Sequence, residues 1–219
     1  MDSALLLREG LAALPLNLGR SSQNKLLHYL ELLEKWNSVY NLTAIRDPAD
    51  MVARLILDSL VIMPHLNGSR LVDVGTGAGL PGIPLAIACP DVFVSLLESR
   101  RKPTQFLSHV ITALGLSNVQ VVLKRAEQYR PMEKFDTLTA RAFGTVQRLL
   151  TAAGHLCRPH GRILALKGRY PKRELDQLST DTFELVDVVP LRVPQLGAAR
   201  HLVIMRPVLP AETGRGATT

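Results

Sequence analysis

The segment RLVDVGTGAGLPGIPLA, Arg70 to Ala86, sets Asp73, Gly75, Thr76, Gly77, Gly79 and Gly82 between a strand-like run and a helix-like one. Where a buried strand turns into a helix, glycine permits positive φ and lets a ligand approach the backbone closely. Glu98 closes the next strand-like run, 23 residues after Gly75. A carboxylate at about that spacing accepts hydrogen bonds from both hydroxyls of a ribose. Together these residues imply a nucleoside cofactor. Gly77, Gly79 and Gly82 also fit the G-x-G-x-x-G pattern, so an NAD-dependent oxidoreductase is one reading. Two features favour S-adenosylmethionine. Asp73 would repel a pyrophosphate but suits a ligand carrying an ammonium and a sulfonium. Pro81 supplies no N–H to a phosphate at the helix start.

Other candidate chemistry is weaker. Cys89 and Cys157 lack the setting of a nucleophile for a pyrimidine base, and no NPPY-like run follows the fourth strand-like segment. The run HLCRPH brings His155, Cys157 and His160 close together, but a fourth ligand is missing, so no metal is expected. Trp36 and Tyr40 are read as core. Asp58 is read as a cap or a bridge to the sheet. Tyr170 could stack on an unpaired base.

The elements that must position these residues follow from periodicity. Residues 1–66 read as a helical segment. Leu26, Leu27, Leu30, Leu33, Trp36 and Tyr40 recur at three- and four-residue steps, with Ser21 or Ser22 as N-cap. A second helix starts with Asp47 as cap and Pro48 in its first turn. Strands are expected at 70–74, 92–98, 119–125, 135–142 and 161–168, with helices near 82–88, 103–114 and 145–156. This alternation predicts a parallel sheet covered on both faces. Two last strands, 183–193 and 200–207, have no helix between them and form a terminal antiparallel hairpin. The expected architecture is thus α/β and Rossmann-like, with a helical segment over 1–66, a cofactor-binding domain over 67–207 and a disordered tail over 208–219.

Composition bounds the setting. The chain has 219 residues, 47% of them apolar, which suits a single cored domain with a small attachment. Two distant cysteines, no signal-peptide pattern and no long apolar run predict a cytoplasmic protein off the membrane. The formal net charge of +7 raises the question of a polyanion. Arg100, Arg101 and Lys102 follow the second strand, Lys124 and Arg125 end the third, Arg141 ends the fourth, and Lys167, Arg169, Lys172 and Arg173 follow the fifth. All fall on the carboxyl edge of the sheet, where ligands bind, and this placement favours RNA.

The chain resembles the RsmG (GidB) family, bacterial methyltransferases that modify a guanine at N7 in 16S rRNA. The resemblance runs through KWNSVYNLTAIRDP, ILDSL, LVDVGTGAGLPGIPLAI, LLESRRKPTQFL, TARAF, ALKG and RHLVIMRP, over roughly residues 10–207. It implies the class I methyltransferase fold and S-adenosylmethionine as cofactor. The family's cofactor contacts fall on Gly75, Leu80, Ala126, Glu127 and Arg141, with Arg141 beside the point of transfer. It implies 16S rRNA or the small ribosomal particle as substrate. Guanine N7 carries an unprotonated lone pair, so no general base is required and positioning dominates. Leu55 stands where the family often carries His. The rivals are an oxidoreductase and a non-catalytic RNA-binding module. A monomer is expected.

Overall fold

The computed structural model describes residues 2–14, 16–179 and 181–208; most of the expected tail, from 209 on, lies outside them. Two longer helices and then short helical stretches make up the N-terminal part. They include α1 (Ser3–Ala12), α2 (Arg20–Tyr40), α3 (Pro48–Met51), a π-helical stretch (Val52–Leu57) and α4 (Asp58–Leu60). Then come β1 (Arg70–Val74), α5 (Gly82–Ala88), β2 (Phe93–Glu98), α6 (Arg101–Leu114), β3 (Val119–Leu123) and β4 (Phe135–Arg141). The chain continues through α7 (Val146–Ala153), β5 (Cys157–Lys167), α8 (Lys172–Asp176), β6 (Phe183–Leu191) and β7 (Arg200–Pro207).

The strands form one seven-stranded sheet in the order β3-β2-β1-β4-β5-β7-β6. β1 to β5 are mutually parallel. β7 inserts antiparallel between β5 and β6. Strand order reverses between β1 and β4, which places the ligand crevice above the carboxyl ends of those two strands. Side chains alternate across the sheet as strand geometry requires. Leu71, Leu164, Leu166, Leu202 and Ile204 join the apolar cluster made with α1, α2, α5 and α6. Val72, Val74, Ile163, Ala165, Val203 and Met205 join the cluster made with α7. Leu55, at the position where the resembled family often has His, is wholly buried in the first cluster.

Asp47 caps α3 as its type predicts, accepting from the amides of Ala49 and Asp50, both at 3.0 Å. Other boundaries differ from the expectation. α2 begins at Arg20 with Gly19 as N-cap and no side-chain cap. Ser22 is drawn away, its hydroxyl donating to the Ile87 carbonyl at the end of α5 (3.3 Å). The helix expected after Asp47 turns π-helical over Val52–Leu57. β5 starts at Cys157, earlier than expected, because Cys157 pairs with Phe135 across an irregular register.

Candidate active site

The glycine turn is lashed to its neighbours. The amides of Gly75 and Thr76 both donate to the Leu97 carbonyl of β2, at 2.9 and 3.2 Å. The Asp73 carboxylate is fully buried and accepts from the Thr76 hydroxyl (2.6 Å), the Gly82 amide (2.9 Å) and the Thr139 hydroxyl (3.5 Å). Burial lifts its pKa to about 6, against the opposing pull of Thr76, Gly82 and the Arg141 charge. The sequence places Asp73 beside a ligand's ammonium. The structure instead turns its carboxylate inward, where it ties β1 to the start of α5. A Cβ at Gly82 would overlap Leu96 and come within 2.9 Å of that same carboxylate oxygen, so only glycine lets α5 pack there. Leu80 is also turned in: its side chain lies in the core and its amide donates to the Thr76 carbonyl.

The open side of the turn belongs to Gly77. Its φ is +57°, and a Cβ there would meet only the Gly75 carbonyl oxygen, at 3.9 Å. Glu98 reaches it from the end of β2, buried at 4% exposure. One carboxylate oxygen accepts from the Gly77 amide (3.1 Å). The other accepts from the amides of Ser99 and Arg100 and from Arg100 Nε, at 2.9, 3.0 and 3.2 Å. The first oxygen thus keeps accepting capacity toward the groove, which fits a ribose diol. A hollow beyond it is lined by Gly75, Leu97, Ser99, Ala126, Glu127 and Phe143. The Phe143 ring rests on the turn: a Cβ at Gly75 would approach it to 2.9 Å. A cradle that only glycine permits, a buried acid at the ribose distance and an adjoining hollow fit S-adenosylmethionine.

Beside the turn, above the ends of β4, β5 and β7, lies a cleft of about 450 Å³. Its floor is an ion-paired cluster. Asp58, 4% exposed, accepts from Arg200 Nε at 2.8 Å and from Arg141 Nη1 at 3.4 Å. Arg141 Nη1 also donates to the Arg54 carbonyl (2.9 Å). The sequence singles out Arg141 but misses Arg200 and the share of Arg54. The signal for Arg200 was available: a strand antiparallel to β5 begins at the edge where β5 ends, and Arg200 opens β7. Neither cysteine is poised as a thiolate. Burial pushes the Cys157 thiol up to about 12 and also raises Cys89.

The cations sort into two kinds. Arg100, Arg101, Lys102, Lys124, Arg125 and Arg169 are exposed along the carboxyl edge. Lys167 is not. Its side chain is 13% exposed, and its ammonium donates to the Gly144 carbonyl (2.6 Å) and to Glu174 Oε2 (2.7 Å). The expected phosphate contact at Lys167 is therefore an internal tie, because the carboxylate on α8 and a loop carbonyl claim its protons.

Known proteins share much of this sequence and its fold. A family model described as rRNA small subunit methyltransferase G matches residues 22–203. The chain is 50% identical over 202 residues to the ribosomal RNA small subunit methyltransferase G of Nitrosococcus oceani, covering 92% of this chain and 94% of that protein. The Nitrosospira multiformis protein of the same name is 45% identical over 213 residues, covering 94% and 98%. Among solved structures, a SAM-dependent methyltransferase from Aquifex aeolicus superposes with a TM-score of 0.55 at 16% identity, covering 75% of this chain and 96% of that one. TrmN from Thermus thermophilus gives the same score and identity over 72% of this chain and 53% of its own. These two likenesses describe the fold, that of the class I methyltransferases. The closeness of the sequence relatives along nearly their whole length says more: the chain belongs to the rRNA small subunit methyltransferase G family.

Proposed function

We infer that the protein transfers a methyl group from S-adenosylmethionine to N7 of a specific guanine in 16S rRNA, acting in the cytoplasm as a monomer and without a metal ion. The observation that carries the N7 assignment is the lining of the cleft. Among its described residues the one carboxylate is Asp58, already engaged by Arg141 and Arg200, and no histidine or cysteine is present. Such a cleft has no free base to remove a proton, which suits N7, a guanine ring nitrogen whose lone pair is free and exposed on the major-groove edge, and does not suit N1 or the exocyclic N2, which carry hydrogens. When bound, S-adenosylmethionine supplies a methyl carbon made electrophilic by its sulfonium. The chain's own residues do the rest. Glu98 holds the ribose, and Ala126 and Glu127 flank the adenine. Gly75, Thr76, Gly77 and Gly79 offer the open backbone, with Asp73 and Leu80 fixing its shape. An arginine reading this edge of guanine must donate to O6 and leave N7 free. Arg141 stands where that contact and the reacting atoms meet. Asp58 orients both arginines, and its negative charge offsets theirs as positive charge moves onto the base. Arg100, Arg101, Lys102, Lys124, Arg125 and Arg169 hold flanking phosphates.

Purified protein with radiolabelled donor and small-subunit rRNA or particles tests this reading. Label is expected on N7 of a single guanine, and Arg141→Lys should lower kcat by roughly 100-fold or more, as loss of an aligned transition-state donor does. Label on an exocyclic nitrogen or a ribose oxygen would refute the N7 assignment. RNA binding without any transfer would leave a binding module.

A further inference from the structure

The tie at Lys167 leads to a residue on α8. Between β4 and α7 the chain makes a tight turn, 142–145, in which Ala142 has φ +56° and Gly144 φ +102°. Two left-handed positions in three residues, one of them an alanine, form a strained path that persists only where neighbours hold it. Both of the turn's far backbone groups are held by one carboxylate. Glu174 Oε2 accepts directly from the Val146 amide (2.9 Å), the first of α7. It also accepts from Lys167 Nζ (2.7 Å), which in turn donates to the Gly144 carbonyl (2.6 Å). Glu174 itself stands on a stiff base. The amides of Glu174 and Leu175 donate to the Pro171 carbonyl, at 3.0 and 3.1 Å. Leu175 and Leu178 pack on the second apolar cluster. The Ser179 amide donates to Gln147 on α7 (3.1 Å). The turn so clamped begins right after Arg141 and carries Phe143, whose ring lies on Gly75 of the cofactor turn.

We propose that Glu174 is a positioning residue for methyl transfer: acting through Lys167 and the Val146 amide, it clamps the 142–145 turn and so sets Arg141 and Phe143 against the cofactor. The proposal rests on the methyltransferase reading above. It gives Lys167 a different role from that of its exposed neighbours, since the ammonium serves the turn rather than a phosphate. The pair is shielded enough for salt to screen it less than a surface pair, with side-chain exposures of 13% and 29%.

The test compares Glu174→Gln, Lys167→Met, Lys167→Arg and the Gln/Met double variant in the full-length protein. Circular dichroism and a melting curve establish that each is folded. The Gln variant keeps an acceptor for Val146 while removing the ion pair. Each charge-removing single variant is expected to weaken S-adenosylmethionine binding by calorimetry, and to lower kcat, by roughly 3- to 30-fold. The double variant should be no worse than the more affected single, because the two residues act as one unit. Lys167→Arg should recover part of the loss, since a guanidinium still donates to both acceptors. RNA affinity and its salt slope should stay as in the wild type. Unchanged cofactor affinity and kcat in Glu174→Gln would overturn the clamp. So would additive losses in the double variant. A salt slope shallower by about 0.7 in Lys167→Met alone would make Lys167 a phosphate contact and overturn it as well. Cofactor affinity is read without RNA, so a wild type that bound the donor but methylated no rRNA would defeat the functional reading and leave the clamp open to measurement.

Discussion

At Asp73 one carboxyl group decides both the shape of the cofactor turn and part of the pH response. Its buried oxygen is shared by the Thr76 hydroxyl and the Gly82 amide. Burial holds its pKa near 6 in the folded protein, above the ordinary value of 3.8. Between those values the folded state binds more protons than the unfolded one, so this group makes stability fall as pH rises. Asp73→Asn removes that titration while its amide oxygen can still accept from Thr76 and Gly82. Melting curves should therefore show the variant gaining on the wild type from pH 4 to pH 7, by up to about 3 kcal/mol. A difference that is flat with pH would mean that Asp73 does not titrate in this window. Asp73→Ala removes the same titration and should lie about 1–3 kcal/mol below Asp73→Asn at every pH, because it strands a buried amide. The presence of an acid at this place was legible from spacing alone. Its direction was not, because Asp73 alternates with Val72 and Val74, and only the packed loop shows which oxygen meets which donor. Glu98 was read more fully, since the last residue of β2 must face the crevice whatever the details of the loop.

Among the elements, α2 and the π-helical stretch do most to bring distant residues to the site. The apolar steps Leu26, Leu30 and Leu33 made α2 legible. Tyr29 escaped notice because its partner is far along the chain. It is wholly buried on that same face, its hydroxyl donating to the Ala78 carbonyl inside the glycine turn at 2.8 Å. Burial drives its pKa far upward, so it remains a donor at all working pH values. Tyr29→Phe keeps the packing and removes the bond, and urea unfolding should register a loss of about 1–3 kcal/mol. If α2 holds the turn in its ligand-ready shape, calorimetry should also show weaker donor binding. Lost stability with unaltered affinity would reduce the contact to scaffolding. The π-helical turn was not legible either, since the residues 52–57 suit an ordinary helix. Its effect is specific: the Asp58 amide bonds to the Ala53 carbonyl, five residues back, and the Arg54 carbonyl accepts from Arg141. One extra residue per turn thus lets a carbonyl and a carboxylate from the same helix grip one guanidinium.

Over the whole molecule, charge and topology coincide. Every parallel strand delivers its last residue to the same edge, and β7, running the other way, delivers its first. Part of the net charge of +7 is expressed at that edge, where the exposed Arg101, Lys124 and Arg169 follow β2, β3 and β5. Lys134 is equally exposed, but it precedes β4 and so lies at the opposite edge. Sequence position together with strand direction made this grouping readable before any side chain was placed; it failed only at Lys167, where a partner on α8 intervenes. If RNA lies across the carboxyl edge, each neutralised phosphate releases counterions, and the slope of log affinity against log salt records how many. Alanine at Arg101, Lys124 or Arg169 should make that slope shallower by about 0.7 for each single-strand phosphate left without its cation. Alanine at Lys134 should leave both affinity and slope alone. Donor binding, measured without RNA, should be unaffected by alanine at Arg169 or Lys134, which line neither hollow beside the glycine turn, whereas Lys124 lines the hollow next to Gly75 and Arg101 the one next to Gly77, so only the salt slope is read at those two. Equal slopes for Lys134 and the three edge residues would mean that RNA is attracted by net charge without being seated on this edge, and the positioning assigned to Arg141 would then need another support for the substrate.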